Sequence, residues 1–360
     1  MTRVIQWGTG NVGTHSLRGI LERPELELVG LRVYSPEKIG RDAGDFVGRA
    51  PTGVIATDDI EAIVGTPADC VLYHSFGTTL VSLDQPVDDL ARLLASGKNV
   101  VASAVDLFIN FTPGVAPKFL TPAVVEKLHD ACLTGNSTLY AAGMTPGFAL
   151  DLWPITMSRV CRRVDSMSIT EVVDMRDYRS SMMSFMGFGL PPDADVPMYA
   201  LFEDTANSPY AGTLALIAEA LGVTVEKITY QREVATAPYD VTVRSGVIKS
   251  GTVVATKFSF VAHVAGKPFI TITYVWRADN EVEPTWPIGH CKWLLDIQGE
   301  PSLNTEMNLA TTVDAKRPTS ITVAMHGLNA IPAVCGAPAG FATHLTLPVF
   351  GGRGAASLRL

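Results

Sequence analysis

A glycine-rich turn close to the start of the chain limits what can follow it. Gly8-Thr9-Gly10-Asn11-Val12-Gly13 spells GxGxxG directly after an apolar run at residues 3–7 that reads as a strand. A helix is predicted over residues 14–22, stopped by Pro24, and a second strand over residues 27–33. In a strand–turn–helix–strand unit each glycine has a task. Gly8 permits the tight turn, Gly10 lets a diphosphate approach the backbone, and Gly13 lets helix and strand pack closely. Thr9, Asn11 and Val12 complete a loop whose N–H groups face the same anion at the positive end of the helix. The plainer reading is a glycine turn with no ligand.

The end of the second strand normally chooses the cofactor. An acid about 20 residues on would grip the ribose 2′-hydroxyl of NAD. Val33, Tyr34, Ser35 and Pro36 stand there instead, with Arg32, Lys38 and Arg41 close by. A small hydroxyl among cations suits a 2′-phosphate, so NADP is favoured over NAD. The alternative is a solvated basic face.

Strands predicted at 68–74, 100–104 and 137–142 alternate with helices beginning near Asp58–Asp59 and covering 87–96 and 122–134. Strands apolar on both faces imply a parallel sheet covered on both sides. Beyond residue 150 the pattern changes. Alternating runs at 166–174, 239–247, 253–264, 269–276 and 290–297 predict a mostly antiparallel sheet, with a helix at 213–221 ended by Gly222. Helices are predicted at 305–313 and 319–331. The expected fold is α/β: an N-terminal Rossmann doubly wound parallel sheet with a second α+β domain on a mostly antiparallel sheet. The expected domains are residues 1–150, 151–305 for substrate binding and dimerisation, and 306–360 returning to the first.

Composition narrows the function. With 47% hydrophobic and 18% charged residues, the chain can bury a large core. Its formal charge of −8 offers no basic patch for nucleic acid or an anionic membrane. No apolar stretch is long enough for a membrane span. Arg3 is followed too soon by the glycine turn for a signal segment, so a cytoplasmic location is expected. Five cysteines without a CxxC and seven histidines without HxH or HExxH spacing predict reduced thiols and no metal.

In a doubly wound sheet ligands sit beyond the carboxyl ends of the strands. That places His74, Ser75 and Thr78, then Ala104 and Asp106, then Met144 and Thr145 at one edge, with the nicotinamide expected near the last two groups. Phe148, Trp153, Met186 and, less directly, His263 are candidate pocket walls. Ordinary core packing is the alternative for each. Tyr140 and Tyr178 are unremarkable proton-donor candidates.

Several stretches together carry a resemblance. VIQWGTGNVG (4–13), GKNVVASAVDL (97–107), GMTPGFALDLWP (143–154), EVVDM with MGFGLPP (171–192) and NAIPAVCGAPAGFATHLTLP (329–348) resemble the dihydrodipicolinate-reductase-like superfamily. The closest branch is that of 2,4-diaminopentanoate dehydrogenases and native amine dehydrogenases. The resemblance implies an NAD(P)-binding Rossmann domain, a substrate domain whose sheet helps build a homodimer, and interconversion of an amine with a ketone and ammonia. It also implies that the helix opened by Asn329 borders the nicotinamide. The histidine pair, lysine and SGT loop of the lysine-pathway reductases are missing, which argues against a diacid imine. An acidic pair follows the fifth strand in the amine dehydrogenase branch, and one of its acids activates ammonia. Val105 and Asp106 occupy those positions, so Asp106 is the catalytic candidate. An ordinary loop aspartate is the alternative. The expected substrate is a small, mostly apolar amine, imine or ketone. Two other readings stand beside it: a carbonyl or cyclic-imine reductase that needs no ammonia, and a dinucleotide sensor without turnover.

Overall fold

The structure, a computed structural model, describes the chain apart from residues 76–83, 104–108, 112–119, 179, 206–207, 209, 313–317 and 356–360. It divides into two compact units, one taking in the chain up to residue 148 and from residue 319 onward, the other Ala149–Pro318.

The first unit is built on a parallel sheet. Its strands are β1 (Thr2–Trp7), β2 (Leu26–Arg32), β3 (Ala56–Thr57), β4 (Cys70–Tyr73), β5 (Asn99–Ala102), β6 (Thr138–Ala141) and β15 (Gly340–Ala342), ordered β15-β6-β5-β4-β1-β2-β3. The direction of winding reverses between β1 and β4, which makes that crevice the natural ligand site. β4 and β6 are buried along their whole length, as strands covered on both faces must be. Helices α1 (Asn11–Leu21) and α9 (Pro318–Cys335) cover one face, where Leu17, Ile20, Leu328 and Ile331 pack on Val4, Leu72 and Val101. On the other face lie α2 (Ile60–Gly65), α3 (Asp84–Ala95) and α4 (Pro122–Gly135). Asp59 caps α2 by accepting from the Ala62 N–H at 3.1 Å.

The second unit holds β7 (Arg163–Asp174), β8 (Lys227–Thr236), β11 (Val253–Val264), β12 (Lys267–Arg277), β13 (Cys291–Glu300) and β14 (Leu303–Asn308), ordered β14-β13-β7-β12-β11-β8. Only the β7–β12 pair is parallel. A small hairpin, β9 (Val241–Val243) and β10 (Gly246–Ile248), replaces the single strand expected over 239–247. Gly246, at φ 137°, breaks that run. Its helices are α5 (Trp153–Ser158), α6 (Ser180–Phe185), α7 (Pro197–Glu203) and α8 (Ala211–Leu221). Phe202 of α7 and Tyr210 beside α8 pack on Phe258, Phe260 and Tyr274, giving the sheet one aromatic face.

The helix expected over 305–313 is a correction. Residues 303–308 form the edge strand β14, paired antiparallel with β13. Leu303, Thr305 and Met307 are half-buried while Asn304, Glu306 and Asn308 are exposed, a period of two rather than 3.6. Residues 306–308, expected to return to the first unit, therefore belong to the second.

Candidate cofactor-binding site

Gly8 leaves β1 with φ 91°, and its N–H donates to the Arg32 carbonyl at 2.8 Å. A Cβ there would overlap the His74 carbonyl oxygen, and one at Gly13 would overlap that of Gly8. Both glycines are thus demanded by the fold itself. Gly10 differs. Its φ is −76°, and a Cβ would meet no protein atom within 4 Å. The protein leaves that space open, as a diphosphate lying on the turn would need. The buried Gln6 amide steadies the turn by donating to the Gly8 carbonyl at 2.9 Å, and Thr14 Oγ1 donates to the Gly10 carbonyl at 2.8 Å. α1 begins at Asn11, earlier than predicted, so Asn11, Val12 and Gly13 form its first turn, where N–H groups point out of the helix end.

The end of β2 lies beside this turn. Arg32 is 8% exposed, and neither its Nε nor its Nη1 has a hydrogen-bond partner among the described residues. Its guanidinium lies over the rings of Tyr34 (4.8 Å) and Trp7 (5.6 Å). Trp7 Nε1 donates to Tyr34 Oη at 2.7 Å, and Tyr34 donates on to Ser75 Oγ at 2.8 Å. Beneath them Asp89, its carboxyl pushed above the usual range by burial, accepts from Gln85 and Tyr73. A buried cation without full hydrogen bonding is costly, and an anionic ligand would relieve it. Ser35 precedes a short 3₁₀ turn, Pro36–Lys38, which carries Lys38 back over the loop. There Lys38 Nζ donates to the Thr9 carbonyl at 3.2 Å and to Thr9 Oγ1 at 3.1 Å.

Two expected cofactor contacts are corrected. His74 faces α1 rather than a ligand. Its Nε2 is hydrogen-bonded to Ser16 Oγ at 2.7 Å and its Nδ1 to Ser103 Oγ. Burial drives its pKa down to about 3, so it is a neutral tie between α1, β4 and the end of β5. Asn329 is far along α9, where its Oδ1 accepts from Arg23 at 2.6 Å. Arg23 follows the carboxyl end of α1, about 16 Å of helix away from the glycine turn. Asn329 therefore sits at the opposite edge of the sheet. Thr78, Ala104 and Asp106 lie outside the described residues.

Met144, Thr145 and Phe148 belong to the turn that follows β6 at the carboxyl edge of the sheet. Phe148 N–H closes it on the Gly143 carbonyl at 3.0 Å, and a Cβ on Gly147 would overlap Gly143. Trp153, Met186 and His263 belong to the second unit. Met186 is buried and its carbonyl accepts from Tyr199 Oη at 3.1 Å. His263 shares a sheet face with Ser259 and Val261, opposite the aromatic one, and its Nε2 bonds Thr229 Oγ1 at 3.0 Å. Burial raises the Tyr178 hydroxyl well above its usual range, away from easy proton donation. Sequence reasoning missed a group under the β6 turn: Tyr140, His326 and His344. Among the described residues no three His, Cys, Asp or Glu side chains are grouped to hold a metal ion.

The whole chain is similar to known proteins of one family. The family model of the 2,4-diaminopentanoate dehydrogenase C-terminal domain matches residues 148–355. An amine dehydrogenase of Streptomyces virginiae is 30% identical over 312 residues, covering 84% of each chain. The 2,4-diaminopentanoate dehydrogenase of Acetoanaerobium sticklandii is 22% identical over 362 residues, covering 96% of this chain and 93% of that one. The solved structure of the amine dehydrogenase from Mycobacterium smegmatis shares the fold with a TM-score of 0.75, at 19% identity and 97% coverage of both chains.

Proposed function

The chain belongs to the amine dehydrogenase and 2,4-diaminopentanoate dehydrogenase family, and from that premise we propose how its residues work as an NAD(P)-dependent amine dehydrogenase. It interconverts a small amine with a ketone and ammonia. The observation that carries the residue assignments is the glycine turn, whose open space at Gly10 is left by no steric need of the protein.

The first turn of α1 binds the dinucleotide diphosphate. Arg32, Ser35 and Lys38 receive the adenosine ribose, and the Arg32 guanidinium, whose Nε and Nη1 have no partner among the described residues, favours the 2′-phosphate of NADP over NAD. The cofactor supplies the hydride donor and acceptor. Met144, Thr145 and Phe148 form an apolar wall for a small, mostly apolar substrate. Asp106 handles protons: its carboxylate takes one from ammonium, returns it to the carbinolamine hydroxyl that leaves as water, and, charged again, stabilises the cationic iminium. A homodimer built on the second unit's sheet fits its half-buried face of Ser166, Ser168, Thr271 and Thr273. A cytoplasmic location fits five cysteines of which none is in a disulfide. No helix among the described residues is long and apolar enough to cross a membrane.

The test is oxidation of NADPH and NADH with small ketones, with and without ammonium, on wild type and Asp106→Asn. Turnover that needs ammonium and is lost in the variant, with cofactor affinity unchanged, supports the assignment. Turnover indifferent to ammonium points to a carbonyl reductase, and activity retained by Asp106→Asn removes that residue from its role.

A further inference from the structure

The β6 turn rests on a group that the scheme above does not use. Gly143 offers its carbonyl to two donors, the Phe148 N–H at 3.0 Å and His326 Nδ1 at 2.8 Å. His326 Nε2 lies 3.4 Å from Tyr140 Oη, and the same hydroxyl lies 2.7 Å from His344 Nδ1. All three side chains are buried: Tyr140 is 1% exposed, His344 7% and His326 8%. The imidazoles stack 5.5 Å apart at 17°, and Phe148 meets the His326 ring edge-on at 5.8 Å.

The chemistry of the acceptor fixes one proton. A carbonyl only accepts, so His326 must carry its proton on Nδ1. An uncharged ring then accepts at Nε2, 3.4 Å from Tyr140 Oη, and the same hydroxyl meets His344 Nδ1 at 2.7 Å. The groups form one hydrogen-bonded chain, from His344 through Tyr140 and His326 to Gly143. It links β6, α9 and the segment after β15 to one carbonyl of a turn at the carboxyl edge of the sheet. That turn lies three strand spacings from the glycine loop, about 14 Å.

We propose that His326 is a positioning residue for amine oxidation and ketone amination, which sets the β6 turn, and with it Met144 and Thr145, by donating to the Gly143 carbonyl from a hydrogen-bond chain with Tyr140 and His344. This rests on the amine dehydrogenase reading, and it concerns where the substrate is held rather than the chemistry itself. A misplacement of about 1 Å can cost on the order of 100-fold in rate.

The test joins a spectroscopic readout to kinetics. Nitrogen-15 NMR of histidine-labelled protein, assigned by the signal lost in His326→Asn, should show His326 as the Nδ1–H tautomer, whereas free imidazole in water favours Nε2–H. Asn places its amide N–H where Nδ1 stood, so His326→Asn should keep kcat for the amine within about 3-fold of wild type. His326→Gln places its donor at the other position, and it and Tyr140→Phe should lose about 10- to 100-fold in kcat with the dinucleotide Kd unchanged. An Nε2–H tautomer overturns the chain. Equal losses in His326→Asn and His326→Gln, or no loss in either, overturn the positioning role. A wild type with the Nδ1–H tautomer that binds dinucleotide but turns over no amine overturns the reaction assignment and the positioning role with it, and leaves the chain standing.

Discussion

Gly10 and Gly13 look alike in the motif yet answer to different masters. At Gly13 the neighbour is backbone, the Gly8 carbonyl, which cannot step aside. Gly13→Ala should therefore destabilise the fold by about 1–3 kcal/mol, read as a shift in the urea midpoint. Gly10→Ala meets no protein atom, so its melting temperature should stay within a degree or two while dinucleotide affinity falls about 10-fold or more by calorimetry. Equal behaviour of the two variants would remove the reason for assigning the turn to a ligand. His74 makes a second prediction. In the unfolded chain it takes up a proton near pH 6.5, whereas in the folded one burial delays this to about pH 3. Its contribution is complete above pH 6.5 and is lost as the pH falls toward 3, with a slope of up to about 1.4 kcal/mol per pH unit. Denaturation of wild type and His74→Asn at pH 7.5, 6 and 5 should show the variant less stable at pH 7.5 and the gap closing in acid. The sequence placed His74 at a strand tip but not on a face. Alternation sends Tyr73 toward Asp89 and His74 toward Ser16, which a linear reading leaves undecided.

Among the elements, those with local signals were legible. β1, α1 and β2 carry their own turn, breaker and apolar period, and Asp59 announces α2 by its cap. β14 was not legible, because LNTEMN is short and polar and shows its period only against β13. β8 and the short helices α6 and α7 also stand where no element was predicted; β8 and α7 find partners in a distant strand, as Tyr230 does in Phe260 and Phe202 in Phe258. The Tyr140–His326–His344 chain joins residues 186 and 204 positions apart, a separation at which no spacing rule operates. Helix contacts make a sharper prediction. A Cβ on Gly135, in the last turn of α4, would overlap the Leu94 carbonyl of α3. Gly135→Ala should push the two helices apart at a cost of about 1–3 kcal/mol in chemical denaturation, with dinucleotide Kd unchanged because the pair covers the face away from α1. A neutral result would mean that the helices slide freely on the sheet.

For the whole molecule, fold and family were readable from a few stretches in order along the chain, whereas cofactor choice rests on one side chain whose burial no sequence shows. Arg32 tests it. A charge-assisted hydrogen bond is worth about 1.5–3 kcal/mol, so Arg32→Gln should raise the Kd for NADPH about 10- to 100-fold and that for NADH no more than about 3-fold. Parallel losses for both would assign Arg32 to the adenine or to stability. The reaction itself is best tested by following atoms. Wild-type protein is given NADPH deuterated at C4 on the transferred face, a small apolar ketone and ¹⁵N-ammonium, and the product is weighed by mass spectrometry. An amine carrying one deuterium on carbon and one ¹⁵N is the predicted outcome; a deuterated alcohol without nitrogen, or no labelled product with either dinucleotide, would contradict it.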